Sequence, residues 1–275
     1  MSRYATIIGT GMYVPENEIS NATFAEWMNA VNPKLAEVVG KFEASTGITR
    51  RFYAPDDWAT SDLAVEAGKQ ALADAGITPE QVDLIILGTD SPDYITPATS
   101  VVVQYKLGCV NAGTWDVGCA CASFPTGLTQ AAGIIATNPN IKYILVIGAY
   151  MMHKLADPQH DLTSFFYGDG AGAAVVTAAD KPGFISSSIK ADGSYHKHWG
   201  IYSGGTFEPA TCESVEAGRT KVKLLTPFPT SVNNEGWPAR TRECAANGNF
   251  AIEDIDFMIF TQVNLSTIKL VMGEL

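Results

Sequence analysis

The chain has 275 residues, 46% of them hydrophobic and 17% charged, with a formal net charge of −11. This is enough apolar material for a large core in one or two units, and the acidic balance excludes general nucleic-acid binding while leaving room for a local basic patch that docks an acidic carrier. Five cysteines, an odd number without regular spacing, fit a reducing compartment and hence the cytoplasm, not a disulfide framework.

In chain order, strands and helices alternate. Met1, Ser2 and Arg3 lead into strand-like residues and do not read as a signal peptide, and no apolar run is long enough to span a bilayer. Ala5 to Gly9 reads as a buried strand, with a turn at Val14, Pro15 and Glu16. Asn21 is placed to cap a helix carrying Phe24, Trp27, Met28 and Val31, which Pro33 ends. A second helix from Lys34 stops near Gly47. Ser61 is placed to cap a third, whose small apolar face (Leu63, Ala64, Ala67, Ala71, Leu72, Ala75) ends at Gly76. Val82 to Thr89 is almost continuously apolar, as a strand covered on both faces requires. Val101 to Leu107 reads as helix; Lys142 to Gly148 and Ala171 to Thr177 read as strands. The alternation predicts an α/β fold with a mainly parallel sheet and helices on its faces.

The stretch around Cys121 is the chemical centre of this pattern. A short strand (Thr114 to Val117) meets small residues from Gly118 to Ser123, and an apolar helical pattern then continues through Leu128, Ala131, Ala132, Ile134 and Ile135. Pro125 fits only near a helix start, which puts the helix N-terminus at about Ala122 and Cys121 beside it. There the partial positive charge of the helix end favours thiolate, and the small neighbours let a carbonyl approach the sulfur while backbone N–H groups reach its oxygen. From the residues alone, a buried structural cysteine stands as the equal alternative.

Two segments resemble each other: Ile77 to Thr89 and Ala251 to Thr261 share a helix-loop-strand outline, with Val82-Asp83 and Ile255-Asp256 in matching places. Gly183 to Ser194 reads as a strand and turn that opens a second copy. On this reading residues 1–178 form one half, carrying the nucleophile, and 179–275 a second half that is incomplete.

Other clusters carry weaker signals. His196 and His198 lack Cys or acidic partners at metal-ligand spacing and read as a solvated loop; either of them, or His153 or His160, remains a candidate base if a loop folds over the site. Cys119 reads as a small packing residue. Asp169, in GDGAGA, reads as structural, capping local N–H groups between tight turns. Tyr195 to Lys223 reads as a loop excursion, either a cover for the active-site mouth or a variable surface loop.

Five motifs, IIGTGMYVPENEISN at the start, STGITRR around Gly47, DVGCACASFPTGL around Cys121, FFYGDGAGAAV around Asp169 and IKADGS around Asp192, together resemble β-ketoacyl-[acyl carrier protein] synthase III of the thiolase superfamily. The resemblance implies two duplicated βαβαβ halves stacked in five layers, a homodimer, and Cys121 as the residue that takes an acyl group as a thioester. It also implies coenzyme A or phosphopantetheine thioesters as substrates, with no bound cofactor, no metal and no membrane partner.

The chain departs from the family's HQANLR motif, where it has Thr261, Gln262, Val263, Asn264, Leu265 and Ser266. Thr261 replaces a histidine that assists decarboxylation of the malonyl partner, and threonine cannot offer an enolate a charge-assisted hydrogen bond. Ser266 stands where an arginine helps dock the carrier. Lys41 and Thr49 stand for a tryptophan and an arginine of the nucleotide mouth, and Thr96 for a phenylalanine contributed across the dimer. Asn264 keeps its type and is placed to contact a pantetheine arm with Thr261 nearby. The expectation is an acyltransferase loading Cys121 from acyl-CoA or acyl carrier protein and passing the acyl group on; the alternative is a catalytically silent partner subunit of the same fold.

Overall fold

The computed structural model describes residues 3–31, 33–157 and 162–275. Its elements are β1 (Tyr4–Tyr13), β2 (Asn17–Ser20), α1 (Asn21–Val31), α2 (Pro33–Thr46), β3 (Arg50–Tyr53), α3 (Thr60–Ala75), β4 (Leu84–Gly88), α4 (Thr99–Leu107), β5 (Gly113–Val117), α5 (Ser123–Thr137), β6 (Tyr143–Met151), β7 (Asp169–Ala179), β8 (Trp199–Gly200), α6 (Cys212–Glu216), β9 (Lys223–Leu224), α7 (Ser231–Asn234), α8 (Gly236–Gly248) and α9 (Leu265–Glu274). No helix among the described residues is long and apolar enough to cross a membrane.

The chain divides into two compact units, one of Met1–Glu18, Phe52–Met152 and Gly168–Ile185, the other of Ile19–Arg51, His153–Tyr167 and Ser186–Leu275. This division cuts across the boundary at residues 178 and 179 read from the sequence. Within the second unit, aromatic packing draws distant segments together: Phe24 and Phe42 both meet Phe165, and the Arg51 guanidinium lies 4.8 Å over the Phe24 ring and 4.7 Å over that of Phe165.

The first unit is built on a five-stranded sheet in the order β1-β7-β6-β4-β5. The expected mainly parallel sheet is in fact mixed. β4 runs parallel to both β5 and β6, whose connections pass through α4 and α5, the crossovers that parallel pairs need; β7 is antiparallel to β6 and to β1. All five residues of β4 are buried, and alternation sends them to opposite sides. Ile85 and Leu87 join Leu145, Ile147 and Val175 beneath α3 and α4, while Leu84 and Ile86 join Ile144, Val146 and Val176 beneath α5. Each such side chain removed from water contributes about 1.5–3 kcal/mol.

The predicted cap residues need correction. At α1 the side chain that accepts a first-turn N–H is Ser20, whose Oγ lies 3.1 Å from the Thr23 nitrogen; Asn21 instead holds Glu43, Arg51 and the Ile48 carbonyl. At α3 the N-cap is Ala59, and its N–H is taken by Asp62 at 2.8 Å, while Ser61 receives the Lys106 ammonium. In both cases the chain entered the helix one or two residues earlier than its most obvious capping letter.

The internal duplication is visible in local chemistry. α3 ends at Gly76 and α8 at Asn249, both left-handed, and these C-caps stand 173 positions apart, the same offset that separates Val82 from Ile255. Each is followed by a 3₁₀ turn whose third residue accepts the N–H of its cap: Gln81 from Thr78 at 2.8 Å, and Asp254 from Ala251 at 2.9 Å. The copies then diverge. After Val82 the chain enters β4, paired on both sides, whereas neither 183–192 nor 255–261 joins a ladder among the described residues, and Phe257 and Ile259 are 80% and 85% exposed. A strand forms only where neighbouring strands satisfy its backbone, so the expected strand of Gly183 to Ser194 is replaced by extended chain and the turn Gly193–Tyr195.

Candidate active site at Cys121

Three glycines seat α5 on the sheet. A Cβ at Gly88 would lie 2.7 Å from the Ser123 Cβ, one at Gly127 2.9 Å from Val146, and one at Gly148 3.3 Å from Phe124. The first turn of α5 can therefore settle onto the carboxyl ends of β4 and β6, where ligands of open α/β sheets bind. The chain reaches this helix through a sharp elbow. After β5 and Gly118, Ala120 adopts φ +50°, left-handed backbone that a non-glycine residue rarely takes, and Ala120–Ala122 form a 3₁₀ turn leading into Ser123.

The elbow carries Cys121, which is exposed and lines a cavity of about 270 Å³ with Gly88, Ala120, Phe124, Gly148, Tyr150 and Gly172. The buried Ser123 fixes the turn by accepting the Cys119 N–H at 3.0 Å, and the Ala122 N–H bonds back to the Cys119 carbonyl at 3.1 Å. No Asp or Glu sits in the first turn of α5, so the positive end of the helix faces the cavity uncancelled by a carboxylate of its own. The expected helix start at about Ala122 is met to within one residue.

The other cysteines differ in setting. Cys119 turns away to Thr126, 3.5 Å from its Sγ. Cys109 is buried in the core beneath α3 and α4, where burial, reinforced by the charge of Glu80, pushes its thiol up to about 11. Cys244 bonds to Ser186, with 3.3 Å between Sγ and Oγ.

Two residues not singled out by sequence reasoning belong to this site. Asp90 follows β4, and burial raises its carboxyl above the ordinary value against the pull of the Ala120 N–H and the Tyr150 hydroxyl. Tyr150, on β6, is raised by burial and then by the Asp90 charge, against hydrogen bonding to Ser123. The available signal was positional: a carboxylate immediately after a doubly covered parallel strand.

Thr261 and Asn264 belong to the second unit. Thr261 is half-buried in the chain before α9, and Asn264 is the N-cap of that helix, its Oδ1 3.0 Å from the Thr267 nitrogen. The asparagine thus has a structural task that the motif alone did not reveal. Asn264→Ala is expected to cost about 1 kcal/mol, the usual worth of such a cap, read as a lowered midpoint of chemical denaturation. Ser266 donates to the Ser45 carbonyl at 3.0 Å. His196 Nδ1 lies 3.0 Å from the Gly193 carbonyl, and His198 packs its ring against Tyr195 and Phe228; His153 sits in the turn Met152–Lys154, and His160 lies outside the described residues. Asp169 accepts the N–H of Ala54 at 2.8 Å, so it ties together distant chain segments where a local cap was expected.

Comparison with known proteins gives a consistent result. The sequence profile of 3-oxoacyl-[acyl-carrier-protein (ACP)] synthase III matches residues 115–193. The chain is 42% identical over 196 residues to a β-ketoacyl-[acyl-carrier-protein] synthase III of Neisseria gonorrhoeae (strain NCCP11945), covering 71% of this chain and 59% of that protein. It is 34% identical over 273 residues to the Wolbachia pipientis wMel synthase III, covering 98% and 80%. Among solved structures, the priming β-ketosynthase of the R1128 polyketide pathway superimposes with TM-score 0.85 at 27% identity, over 99% of this chain and 78% of that one. The 3-oxoacyl-[acyl-carrier-protein] synthase III of Aquifex aeolicus VF5 superimposes with TM-score 0.79 at 26% identity, over 98% and 80%. The match to the Neisseria relative spans less than two thirds of that protein's length.

Proposed function

The chain belongs to the β-ketoacyl-[acyl-carrier-protein] synthase III family of the thiolase fold, and from that premise we propose that it is an acyltransferase that loads an acyl group onto Cys121. The reading is carried by one observation: an exposed sulfur on a left-handed elbow, in the wall of a cavity and at the positive end of α5. The Cys121 sulfur attacks the carbonyl of an acyl thioester of coenzyme A or a carrier protein. Backbone N–H groups of the elbow hold the tetrahedral oxygen, the donor thiolate departs, and the acyl-enzyme passes its group to a second substrate. Thr261 in place of an imidazole favours an acceptor other than a carbanion made by malonyl decarboxylation, and it is the observation that supports a catalytically silent partner subunit as the second reading. Incubating the chain with acyl-CoA and mapping the mass gain tests this: an acyl group on the Cys121 peptide is expected, and none there sinks the transferase reading.

The proposed setting is the cytoplasm, in keeping with five free cysteines. The proposed assembly is a homodimer through β5, the sheet's outer strand, beside which Tyr105 and Val110 are 86% and 73% exposed. An edge with unpaired backbone groups and flanking apolar side chains fits a second copy of itself about a two-fold axis. Sedimentation at the mass of a dimer is expected, with Tyr105→Asp shifting it to the monomer; a monomeric wild type discards the assembly.

A further inference from the structure

The cavity beside Cys121 has one group in its wall, and another behind that group, which the acyl transfer outlined above leaves without a task. Tyr150 lines it together with Cys121, and the Tyr150 hydroxyl oxygen is shut off from solvent without a hydrogen bond of normal length and angle to any described residue. Buried hydroxyls are almost always paired, and one left unpaired in the wall of a reactive cavity has no structural return. Asp90 stands at the same end of the sheet, close enough to act on Tyr150 and on the N–H of Ala120, the left-handed residue just before the sulfur.

We propose that the Tyr150 hydroxyl is the proton-carrying group of the Cys121 cavity and that Asp90 is the positioning residue that holds it to this task. The proposal rests on the acyl-transfer reading for its chemistry. As the bond between the Cys121 sulfur and the acyl carbon forms, the thiol proton passes to the Tyr150 oxygen and the Tyr150 proton to the Asp90 carboxylate. As the donor's carbon–sulfur bond breaks, the departing thiolate draws a proton back from Tyr150, which recovers its own from Asp90. No proton is gained or lost overall, and no imidazole is required at position 261.

The electrostatics suit both roles. Burial raises the Tyr150 phenol, and the charges of Asp90 and Cys121 raise it further, so it enters each turnover as a neutral donor. Burial raises Asp90 as well, which makes it a better acceptor than an exposed carboxylate. Contacts of this kind are commonly long in a resting site and tighten on a bound substrate. Other titratable groups on the surrounding elements are already engaged or turned away. Asp116 on β5 accepts from the Thr99 and Ser100 nitrogens at 2.7 and 2.8 Å, and Asp169 on β7 accepts from Ala54. Asp93 accepts from the Ser61 nitrogen at 3.0 Å, Cys119 faces Thr126, and the first turn of α5 carries no acidic residue.

The test uses the full chain, Tyr150→Phe and Asp90→Asn, each alkylated with iodoacetamide from about pH 5 to about pH 10. Carbamidomethylation of Cys121 is read by mass on its own peptide. Tyr150→Phe keeps the ring and removes a buried oxygen that makes no hydrogen bond of normal length and angle, so the packing of the ring stays in place. We expect the alkylation midpoint of Cys121 to rise by about one pH unit in Tyr150→Phe, the worth of one hydroxyl donor to a thiolate. Acyl loading from acyl-CoA is expected to slow about a hundredfold or more in the same variant. Asp90→Asn is expected to slow loading about tenfold at saturating donor without changing the half-saturating donor concentration. Coinciding midpoints in wild type and Tyr150→Phe overturn the assignment. A midpoint raised in Tyr150→Phe beside a wild type that accepts no acyl group upholds the link between Tyr150 and Cys121 and sinks the transferase reading instead. A change in half-saturation alone in Asp90→Asn removes Asp90 from the pair.

Discussion

Cys121→Ala is expected to abolish acyl loading, with a fall of at least about 10³-fold in the rate at which acyl mass appears on the protein. Deleting a nucleophile leaves whatever catalysis binding and oxyanion stabilisation provide, and neither of these can store an acyl group covalently. The substitution removes one sulfur from an exposed position on the elbow, so folding and the thermal midpoint should stay near wild type. Intact-mass spectrometry checks the result. Cys119, Cys212 and Cys244 remain in the variant as internal controls, since they are also free and none lies deep in the core. If the alanine protein still gains acyl mass, the reactive group lies elsewhere and the site must be sought again.

Gly11→Ala is expected to cost more than about 3 kcal/mol of stability. A Cβ there would fall 2.2 Å from the Ala67 carbonyl oxygen and 2.5 Å from the Ala71 nitrogen; one at Gly9 would fall 2.4 Å from the Ala75 nitrogen. These obstacles are helix backbone, which cannot swing aside like a side chain. β1 and α3 therefore meet at glycine on one side and alanine on the other, and a methyl group between them must lift α3 from the sheet. Ala64, Ala67 and Ala71, all fully buried, would lose their contacts together. Differential scanning calorimetry of Gly11→Ala against Gly133→Ala, where nothing lies within 4 Å of the added Cβ, measures the effect. Equal midpoints in the two variants would show that α3 is free to shift.

Much of this architecture is legible in the residues because its signals are local. The run of Val82 to Thr89 declared a strand with two apolar faces, and Gly47 and Gly76 marked helix ends that the structure places at Thr46 and Ala75. Proline near a helix start located the elbow before Cys121 to within one residue. What stayed hidden depends on distance in the chain. Nothing near Asp90 or Tyr150 says that folding will bring a phenol to the same cavity as a thiol and a carboxyl within reach of that phenol, since the three come from three different segments. Strand direction was hidden for the same reason: the mixed sheet follows from where β7 returns, which periodicity does not encode. Asn264 matches a family motif that reads as a ligand contact, and its Oδ1 also accepts the Thr267 N–H three residues on, a capping task that the motif does not spell out.

The glycines at the carboxyl ends of the strands carry a consequence for which acyl groups the proposed transfer would admit. Gly88, Gly148 and Gly172 leave part of the cavity wall without side chains, so its depth is set by main chain and is open to adjustment one carbon at a time. Only one of the three can change without disturbing α5: added methyl groups at 88 and 148 run into Ser123 and Phe124, whereas 172 faces open space. Of these three glycines, 172 is thus the one at which an added side chain would shorten the room for a substrate tail while α5 stays seated.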